Sequence, residues 1–407
     1  MKIGFDLRAL QIGHQYRGIG QVVRRVLQEY AKRGDSHDFV FFQYDSKVDV
    51  AQDDLKITAG TTVLLPGTKQ TKFTKYAAGG MSQAQEKIIR ESCDVFVQFD
   101  FELGLPEGHK SVIIIHDQIP YLLGNKYPSS YHAGYKIARK SGFGAKEAAK
   151  KQIKRSQYRT QLVKVLQRAS WVLTVSEYTR KTTNEFYDIT GKSSVMHLGF
   201  DDKKSAGVSE LTRLEKTRFK EIGLAKDNFL FFLGGVDERR RIDYLVQAFN
   251  QLRARGDKLH LVLGGYDFQS IDHIYNPSAR RAIERSSYRD DIHLLGFVSN
   301  TERAWLYENA LAFVFPSEFE GFGLPVIESL NDGCAVIAYN RTSVTELSGP
   351  NVYAIDTWNG IVDAVHKIKS LSPSQRQKTV QDGKKWASQF TWKQSARVLA
   401  ECIDNLM

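Results

Sequence analysis

Residues 315–328 read FPSEFEGFGLPVIE and decide the fold of this 407-residue chain. The apolar run Ala312–Phe315 at their start predicts a buried β-strand. Gly321 and Gly323 predict a loop with room for a ligand beside the backbone. Pro325 suits the first turn of a helix, because its missing N–H has no intrahelical partner there. The stretch therefore predicts a strand, a glycine loop and a helix in succession, as in α/β folds.

Two glutamates of this stretch are candidates for binding a sugar. Glu320 falls in the predicted loop and Glu328 in the early helix, so both can face one crevice beyond the strand. Carboxylates accept hydrogen bonds from vicinal hydroxyls, which suits a sugar or a ribose. A glutamate near a helix N-terminus also complements the helix dipole, so Glu328 alone would be unremarkable. Its combination with two glycines and a proline favours a ligand site over capping.

Similar apolar runs recur along the whole chain, separated by segments of helix length. Such runs are typical of parallel strands covered on both faces. Two series of them predict an α/β fold with two doubly wound domains, at residues 1–203 and 204–385, followed by a C-terminal helix at 386–407. The predicted strands are 3–7, 39–43, 63–65, 95–99, 112–115, 171–175, 229–233, 259–263, 292–295, 312–315, 335–338 and 352–355.

A second glycine segment follows the predicted strand 229–233. Residues 234–241 read GGVDERRR, so Gly235 and three arginines lie where open α/β sheets bind ligands. Guanidinium groups are always charged and suit a diphosphate. Asp237 and Glu238 are also able to pair with the arginines as a solvated charge cluster. We favour the diphosphate interpretation.

A third glycine segment, GHQYRGIG at residues 13–20, follows the first predicted strand and precedes a predicted helix at 21–30. Gly18 and Gly20 allow close approach of a ligand, and the helix N-terminus favours anionic groups. The alternative is a loop that only needs flexible turn residues. Because residue 23 is valine, the Gly-x-Gly-x-x-Gly pattern of dinucleotide-binding dehydrogenases is missing.

The net charge of +11 belongs entirely to the first half of the chain. Residues 1–200 hold 30 of the 57 Lys and Arg and 19 of the 46 Asp and Glu, so the second half is neutral. Residues 136–168 hold eleven basic residues and one acid, Glu147. This density favours docking to an anionic membrane or an acidic acceptor over a solvated helix face. No nucleic-acid-binding motif accompanies it, so we expect no nucleic-acid partner.

The composition is that of a globular protein, with 42% hydrophobic and 25% charged residues. No apolar run approaches the ~20 residues that span a bilayer, and the first residues lack a signal-peptide pattern. We therefore expect a cytoplasmic protein. The three cysteines are too widely spaced for a zinc site or a disulfide framework.

At residues 317–328 the sequence resembles the retaining nucleotide-sugar glycosyltransferases of family four. The family's Glu-x7-Glu hallmark is met by Glu320 and Glu328. Arg240 stands where the family usually has lysine. The other matching elements follow the family's order: Gly18-Ile19-Gly20, Ile115-His116-Asp117, Val175-Ser176-Glu177-Tyr178-Thr179-Arg180, Arg239-Arg240 and Phe390-Thr391-Trp392.

The resemblance implies the GT-B fold, with two facing Rossmann-like domains and a C-terminal helix that crosses back to the first. It also implies a role for each matched residue. Arg239 and Arg240 would hold the donor diphosphate, with Gly235 beside them, and Glu328 would bind the ribose. Glu320 and His116 would contact the transferred sugar. The remaining implied ligand contacts are Phe322, Gly323 and Leu324 beside sugar and diphosphate, Phe297 and Val298 at the base, and Gly18 and Gly20 at the acceptor side.

The implied activity is transfer of a sugar, with retention, from a nucleotide-diphosphate donor to an acceptor hydroxyl. UDP and GDP are the expected nucleotides, and no metal or other cofactor is expected. A saccharide or lipid-linked acceptor in bacterial surface polysaccharide, lipopolysaccharide or glycolipid assembly is expected at the inner face of the cytoplasmic membrane. A glycosyl phosphorylase and an inactive partner subunit of the same fold remain as alternatives.

Overall fold

The computed structural model describes residues 1–12, 18–34, 37–45, 49–57, 59–67, 81–122, 158–201 and 209–406. The contacts among residues divide the chain into two compact units. The first holds the described residues of Met1–Asn125, Ser141–Gly199 and Thr391–Met407, and the second holds those of Phe200–Phe390. The chain therefore passes between the units after residues 199 and 390, compared with predicted boundaries after residues 203 and 385.

The first unit is built on a parallel sheet of seven strands in the order β3-β2-β1-β4-β5-β6-β7. The order reverses between β1 and β4, where the sheet has its switch point. Every strand pairs in parallel with its neighbours, so all carboxyl ends meet at one edge. The strands are β1 (Lys2–Asp6), β2 (Asp38–Tyr44), β3 (Thr61–Leu65), β4 (Val95–Gln98), β5 (Ser111–Ile115), β6 (Trp171–Thr174) and β7 (Ser193–Val195).

The second unit has a parallel sheet of six strands in the order β10-β9-β8-β11-β12-β13. β8 and β11 are neighbours although some 80 residues separate them, and the switch point lies between them. The strands are β8 (Phe229–Leu233), β9 (His260–Gly264), β10 (Ile292–Gly296), β11 (Ala312–Phe315), β12 (Val336–Tyr339) and β13 (Val352–Ile355).

Helices connect the strands of both sheets. Residues 158–168 form the helix α4. The other helices are α1 (Gly18–Ala31), α2 (Gln83–Ser92), α3 (Ile119–Leu122), α5 (Glu177–Asn184), α6 (Arg213–Glu221), α7 (Ile242–Ala254), α8 (Pro277–Glu284), α9 (Asn300–Asn309), α10 (Leu324–Asn331), α11 (Val344–Leu347), α12 (Asn359–Ser370), α13 (Pro373–Ala387) and α14 (Trp392–Asp404).

All twelve predicted strands are confirmed within two residues, and the structure adds β7, which the prediction missed. β7 reads Ser-Ser-Val and lies at the edge of its sheet, so it lacks the apolar run of a central strand. The prediction was also wrong at the first glycine loop. α1 begins at Gly18, so Gly18 and Gly20 lie in the first helical turn rather than in the loop.

The C-terminal helix was predicted too long. The structure has two helices, and Trp386 belongs to the first of them, α13. α14 begins at Trp392, because the side chain of Thr391 caps it by accepting the Gln394 N–H at 3.1 Å. α14 packs on α1 in the first unit. The hydroxyl of Ser395 donates to the carbonyl of His197 at 2.7 Å and helps to hold it there.

The core of the second unit lies between the strands and their covering helices. Its aromatic side chains pack against one another, with Tyr307 edge-on to both Phe231 and Phe313 at 5.4 and 5.2 Å between ring centres. Such pairs add about 0.5–1.5 kcal/mol each beyond the buried area. The loops at the carboxyl edge of the sheet are therefore mounted on a rigid base.

The basic stretch is described only in its last part, because residues 136–157 lie outside the described residues. α4 buries Leu162, Val165 and Leu166 in the first unit's core. Arg168 is not a free surface charge, since its guanidinium pairs with Glu86 at 2.9 Å and Glu107 at 2.6 Å. Membrane docking by 136–168 stays a prediction. Within the part of the chain that the structure describes, no helix is long and apolar enough to cross a membrane.

The two stretches of chain at which the first unit is interrupted touch each other. A Cβ at Gly199 would lie 2.1 Å from the backbone nitrogen of Trp392, so only glycine fits there. Gly199 is the last residue of the first unit before the chain leaves it, and Thr391 is the first after the chain returns.

Candidate functional site

The loop after β8 brings successive arginines to the carboxyl edge of the second sheet. A 3₁₀ turn, Glu238–Arg240, carries Arg239 and Arg240 ahead of α7. Gly234 opens this loop with φ of 154°, a conformation that residues other than glycine rarely adopt. A Cβ on Gly234 would lie 2.8 Å from Nη1 of Arg240. The glycine therefore leaves the space in which the Arg240 guanidinium lies.

Arg239 is firmly anchored. Its side chain is 7% exposed. Its Nη1 donates to Oε1 of Glu320 at 2.5 Å, to the Phe319 carbonyl at 2.7 Å and to the Ser317 hydroxyl at 3.2 Å. The Arg239 carbonyl accepts the N–H of Glu318 at 2.7 Å. Arg239 therefore ties the loop after β8 to the loop after β11, which is possible because the two strands are adjacent.

Arg240 is held more loosely. Its Nη1 lies 3.4 Å from Oε1 of Glu320, and its Nε lies 4.0 Å from Oδ2 of Asp237. Nε and Nη1 are buried, and neither donates a hydrogen bond to any of the described residues. The guanidinium also lies 5.6 Å from the ring centre of Phe315. Arg240 is thus balanced in charge but keeps hydrogen-bonding capacity that Arg239 has already used.

Arg241 takes no part in this cluster. Its guanidinium pairs with Glu318 at 2.7 Å and Asp243 at 2.9 Å, and it lies 3.2 Å from the ring centre of Tyr244. Binding of a diphosphate by Arg239 and Arg240 stays a prediction, and of the two only Arg240 keeps uncommitted donors at both Nε and Nη1 among the described residues. The alternative, a charge cluster of paired side chains, describes Arg241.

Glu320 is buried and ionised between the two arginines. Burial acts to raise the pKa of Glu320, but the positive charges of Arg239 and Arg240 outweigh it and hold the pKa below its usual range. Its backbone is fixed as well. The Glu320 N–H donates to the Thr342 hydroxyl at 3.2 Å, and the Ser343 hydroxyl donates to the Glu320 carbonyl at 2.8 Å. The loop after β11 is therefore held rigid at its carboxylate.

Glu328 lies in α10, as predicted, and is 6% exposed. Its Oε1 lies 3.4 Å from Nη1 of Arg303, which comes from α9. Burial acts to lower the pKa of Arg303, but the carboxylate of Glu328 outweighs it and the pKa is raised. Arg303 therefore stays charged and orients Glu328.

The N-terminus of α10 faces the same edge of the sheet. Gly323 precedes the helix with φ of 111°, and Leu324 begins it. The first N–H groups of a helix lack intrahelical partners and attract anions. Phe322 buries its ring against Phe390, with 6.0 Å between ring centres, and its carbonyl accepts the Ser343 hydroxyl at 2.9 Å.

The turn after β10 exposes an aromatic ring. Gly296 has φ of 67°, and Phe297 is 73% exposed. Val298 packs on the backbone of the neighbouring strand, where a Cβ at Gly264 would lie 2.9 Å from its methyl group. A large exposed aromatic ring at the carboxyl edge is compatible with the predicted contact to a nucleotide base.

The remaining predicted residues belong to the first unit. His116 follows β5, and its Nε2 lies 3.0 Å from the Phe99 carbonyl. Gly18 is exposed and Gly20 is buried, both in the first turn of α1. Within the second unit the structure brings Arg239, Arg240 and Glu320 into one cluster, whereas His116, Gly18 and Gly20 belong to the first unit.

Four residues of the second-unit site were missed by the sequence analysis: Ser317, Arg303, Thr342 and Ser343. Ser317 lies inside the motif that the sequence singled out, so a search for hydroxyls beside the glutamates finds it. The other three come from α9 and from the loop after β12, and no local pattern marks them. Their contacts depend on which elements are neighbours in space.

Among the residues that the structure describes, no group of three or more His, Cys, Asp or Glu side chains is placed to hold a metal ion. The acidic and basic groups of the site are instead paired with each other. Metal independence stays a prediction.

Comparison with known proteins agrees with this geometry. Residues 215–386 match the profile of the glycosyl transferases group 1 family. The chain is 30% identical over 171 residues to O-antigen chain mannosyltransferase B of Escherichia coli. The aligned residues make up 42% of this chain and 44% of that protein. It is 25% identical over 185 residues to the serotype-specific mannosyltransferase WbdA of Escherichia coli, and this alignment covers 45% of this chain and 22% of that protein. The chain thus spans less than half the length of these relatives.

The match to solved structures covers the whole chain. Anabaena HepE in complex with UDP-glucose superposes with a TM-score of 0.67 over 100% of both chains, at 13% identity. At this identity the likeness shows the fold. The predicted GT-B fold, with a Rossmann-like sheet in each unit, is confirmed. Residues 215–386, which carry the cluster of Arg239, Arg240 and Glu320, are thus similar to the group 1 glycosyl transferases.

Proposed function

We propose that the chain transfers a sugar from a nucleoside diphosphate donor to an acceptor hydroxyl, with retention of the anomeric configuration. One observation carries the proposal. An ionised carboxylate, Glu320, lies buried between two guanidinium groups at the carboxyl edge of the sheet, beside the N-terminus of α10. A sugar diphosphate needs this combination of fixed positive charge and a hydroxyl acceptor.

The two arginines have different tasks in this proposal. Arg240 turns its uncommitted donors to the diphosphate and offsets the charge that develops on the leaving nucleotide. Arg239 keeps its three hydrogen bonds and holds Glu320 in place. Backbone N–H groups at Gly323 and Leu324 contribute further donors at the helix N-terminus.

Glu320 and Glu328 recognise hydroxyl groups. Glu320 accepts from the transferred sugar, while Glu328, oriented by Arg303, accepts from the ribose. Phe297 covers the base, as its exposure at the end of β10 permits. The roles of His116, Gly18 and Gly20 at the sugar and the acceptor come from the family resemblance alone.

The state of Glu320 favours one route to retention. A double displacement needs a carboxylate that is free to attack the anomeric carbon. Glu320 is instead engaged by a guanidinium at 2.5 Å, which lowers its nucleophilicity. Attack on the front face fits better. The bond from the anomeric carbon to the phosphate oxygen breaks, the bond to the acceptor oxygen forms, and the acceptor proton passes to the leaving phosphate.

The relatives support mannose as the transferred sugar and a cell-surface polysaccharide as the acceptor class. Two of them are named mannosyltransferases, one of O-antigen chains. HepE, the structural neighbour, was solved with UDP-glucose. We therefore propose a hexosyl donor and test both GDP and UDP.

The test begins with a thermal-shift panel of UDP, GDP, ADP, CMP and dTDP. At 100 times the dissociation constant, a bound nucleotide stabilises the fold by about 2.7 kcal/mol. We expect one nucleotide to stand out, and its hexosyl donor to support transfer with the product anomer matching the donor by NMR.

Two results would overturn the proposal. A chain stabilised by no nucleotide, but active with a sugar 1-phosphate and inorganic phosphate, is a phosphorylase. A chain that binds a nucleotide and transfers sugar with an inverted anomer keeps the donor class and loses the retaining mechanism.

A further inference from the structure

Three polar side chains are fully buried where β1 and β4 end, at the switch point of the first sheet. Asp6 ends β1, Arg8 follows two residues later, and Gln98 ends β4. Each has no exposed surface. The proposed function assigns none of them a task.

The charges of this cluster are closely paired. Nε of Arg8 donates to both carboxylate oxygens of Asp6 at 2.9 Å, and its Nη2 donates to Oδ2 at 2.5 Å. Desolvation makes such a pair roughly neutral for stability compared with apolar residues of the same volume. Stability alone therefore does not account for three polar groups at this place.

Gln98 connects the pair to a neighbouring turn. Its Nε2 donates to Oδ2 of Asp6 at 2.6 Å and to the Gly104 carbonyl at 3.1 Å. Its Oε1 accepts the N–H groups of Phe99 at 2.9 Å and Asp100 at 3.1 Å. A carboxylate only accepts and an N–H only donates, so the chemistry of these partners assigns the amide orientation. The turn 99–104 is held at its start and its end by one side chain.

Arg8 also holds the same turn near its end. Its Nη2 donates to the Leu103 carbonyl at 3.3 Å. The polar cluster thus fixes the turn through backbone groups of Phe99, Leu103 and Gly104.

This turn presents a carbonyl to His116. The Phe99 carbonyl lies 3.0 Å from Nε2 of the imidazole. Because a carbonyl can only accept, Nε2 must carry the proton. In the neutral ring, Nδ1 is then a hydrogen-bond acceptor.

We propose that Gln98, supported by Asp6 and Arg8, is a positioning residue that holds His116 in the tautomer protonated on Nε2. The inference rests on the proposed function, in which His116 contacts the donor sugar. The Phe99 carbonyl accepts the Nε2 proton and keeps the ring from turning over.

The first test reads the tautomer directly and needs no activity. The protein is labelled with ¹⁵N-histidine, and His116→Gln identifies the His116 signals among those of the ten histidines. In the neutral ring we expect the proton on Nε2 and an acceptor shift at Nδ1. A proton on Nδ1, or equal populations of the two forms, would overturn the proposal.

The second test removes the clamp. Gln98→Met keeps the length of the side chain and deletes its four hydrogen bonds. We expect the two tautomers of His116 to become mixed, and kcat to fall on the order of 100-fold as the ring loses its orientation. Binding of the nucleoside diphosphate, which uses the second unit's residues, should stay within twofold of the wild type.

Gln43→Met is the matched control. Gln43 is also a buried glutamine of the first sheet, and its Oε1 accepts the Val50 N–H at 3.0 Å, away from the turn 99–104. We expect this variant to leave the His116 spectrum and kcat unchanged. Equal losses in both variants would show a merely structural role for Gln98.

The two proposals fail in different ways. If the chain transfers no sugar, the wild-type spectrum still reports whether the Phe99 carbonyl sets the tautomer. If Gln98→Met does not fold, that spectrum decides alone. If transfer proceeds and Gln98→Met leaves both the tautomer and kcat untouched, the positioning role is wrong and the proposed function stands.

Discussion

Arg239 and Arg240 are neighbours in sequence, but replacing each with methionine should impair a different property of the protein. Methionine keeps much of the aliphatic stem and removes the guanidinium. Arg240 makes ion pairs at 3.4 and 4.0 Å without hydrogen bonds from Nε or Nη1, whereas Arg239 donates three hydrogen bonds from Nη1. We expect Arg240→Met to lose nucleotide binding and Arg239→Met to lose stability.

The magnitudes follow from these contacts. A hydrogen bond to a charged group contributes about 1.5–3 kcal/mol, so two bonds from Arg240 to a diphosphate give at least ~3 kcal/mol. This corresponds to roughly a 150-fold rise in the dissociation constant of the nucleoside diphosphate. Removing Arg239 strands the buried carboxylate of Glu320, which costs about 3–5 kcal/mol of folding free energy. For a unit of this size the melting temperature should fall by roughly 10 °C.

Titration calorimetry with the nucleotide selected by the thermal-shift panel measures the first effect, and urea unfolding measures the second. Arg241→Met is the control, because Arg241 pairs with Glu318 and Asp243 outside the cluster. Its nucleotide affinity should stay unchanged. If Arg239→Met weakened binding as much as Arg240→Met and left unfolding unaltered, the division of tasks between the two arginines would be refuted.

Three further outcomes can be measured on the same unit. Gly234→Ala would put a Cβ 2.8 Å from Nη1 of Arg240, at a φ that disfavours alanine. We expect a nucleotide affinity near that of Arg240→Met and a loss of about 1–3 kcal/mol in unfolding free energy. An unchanged dissociation constant for the nucleotide would contradict this prediction. The pKa of Glu320 is lowered in the folded state, so its charge stabilises the fold above the unfolded pKa of about 4.3, and this stabilisation is lost as pH falls through the lower folded value. The difference in unfolding free energy between wild type and Glu320→Gln should therefore shrink in acid. A difference that is independent of pH would argue against the ion pair. Burial, followed by the charge of a neighbouring histidine, lowers the pKa of His293 to about 4. The unfolding free energy should therefore fall as pH drops from about 6.5 towards 4, and His293→Gln should make it depend less on pH. The same pH dependence in both proteins would exclude His293 as the cause.

The sheets were predictable because their strands are buried on both faces. A run such as Phe229–Leu233 must be apolar throughout, and periodicity alone reveals it. β7 escaped because an edge strand of two serines and a valine carries no such constraint. The start of α1 at Gly18 escaped because glycine in a first helical turn looks like part of a loop.

The candidate site was predictable as a set of side chains but not as a set of contacts. Glu320 and Arg239 each stand out in a local motif, yet their salt bridge joins residues 81 positions apart. It exists because β8 and β11 are neighbours, and strand order is not written in any local pattern. Arg303 is harder still, since an arginine inside a helix without a motif gives no reason to expect a partner in α10.

The contact between Gly199 and Trp392 bears on how the chain is synthesised. Residues 200–390 form an insertion in the first unit, and the flanks of that insertion meet at this contact. Translation therefore adds every residue of the second unit before it adds α14, the helix that packs on α1. The folding of the second unit does not need α14, whereas the apolar face of α1 stays uncovered until α14 is present. We expect a chain truncated after residue 390 to bind nucleotide and to recruit chaperones through the uncovered helix.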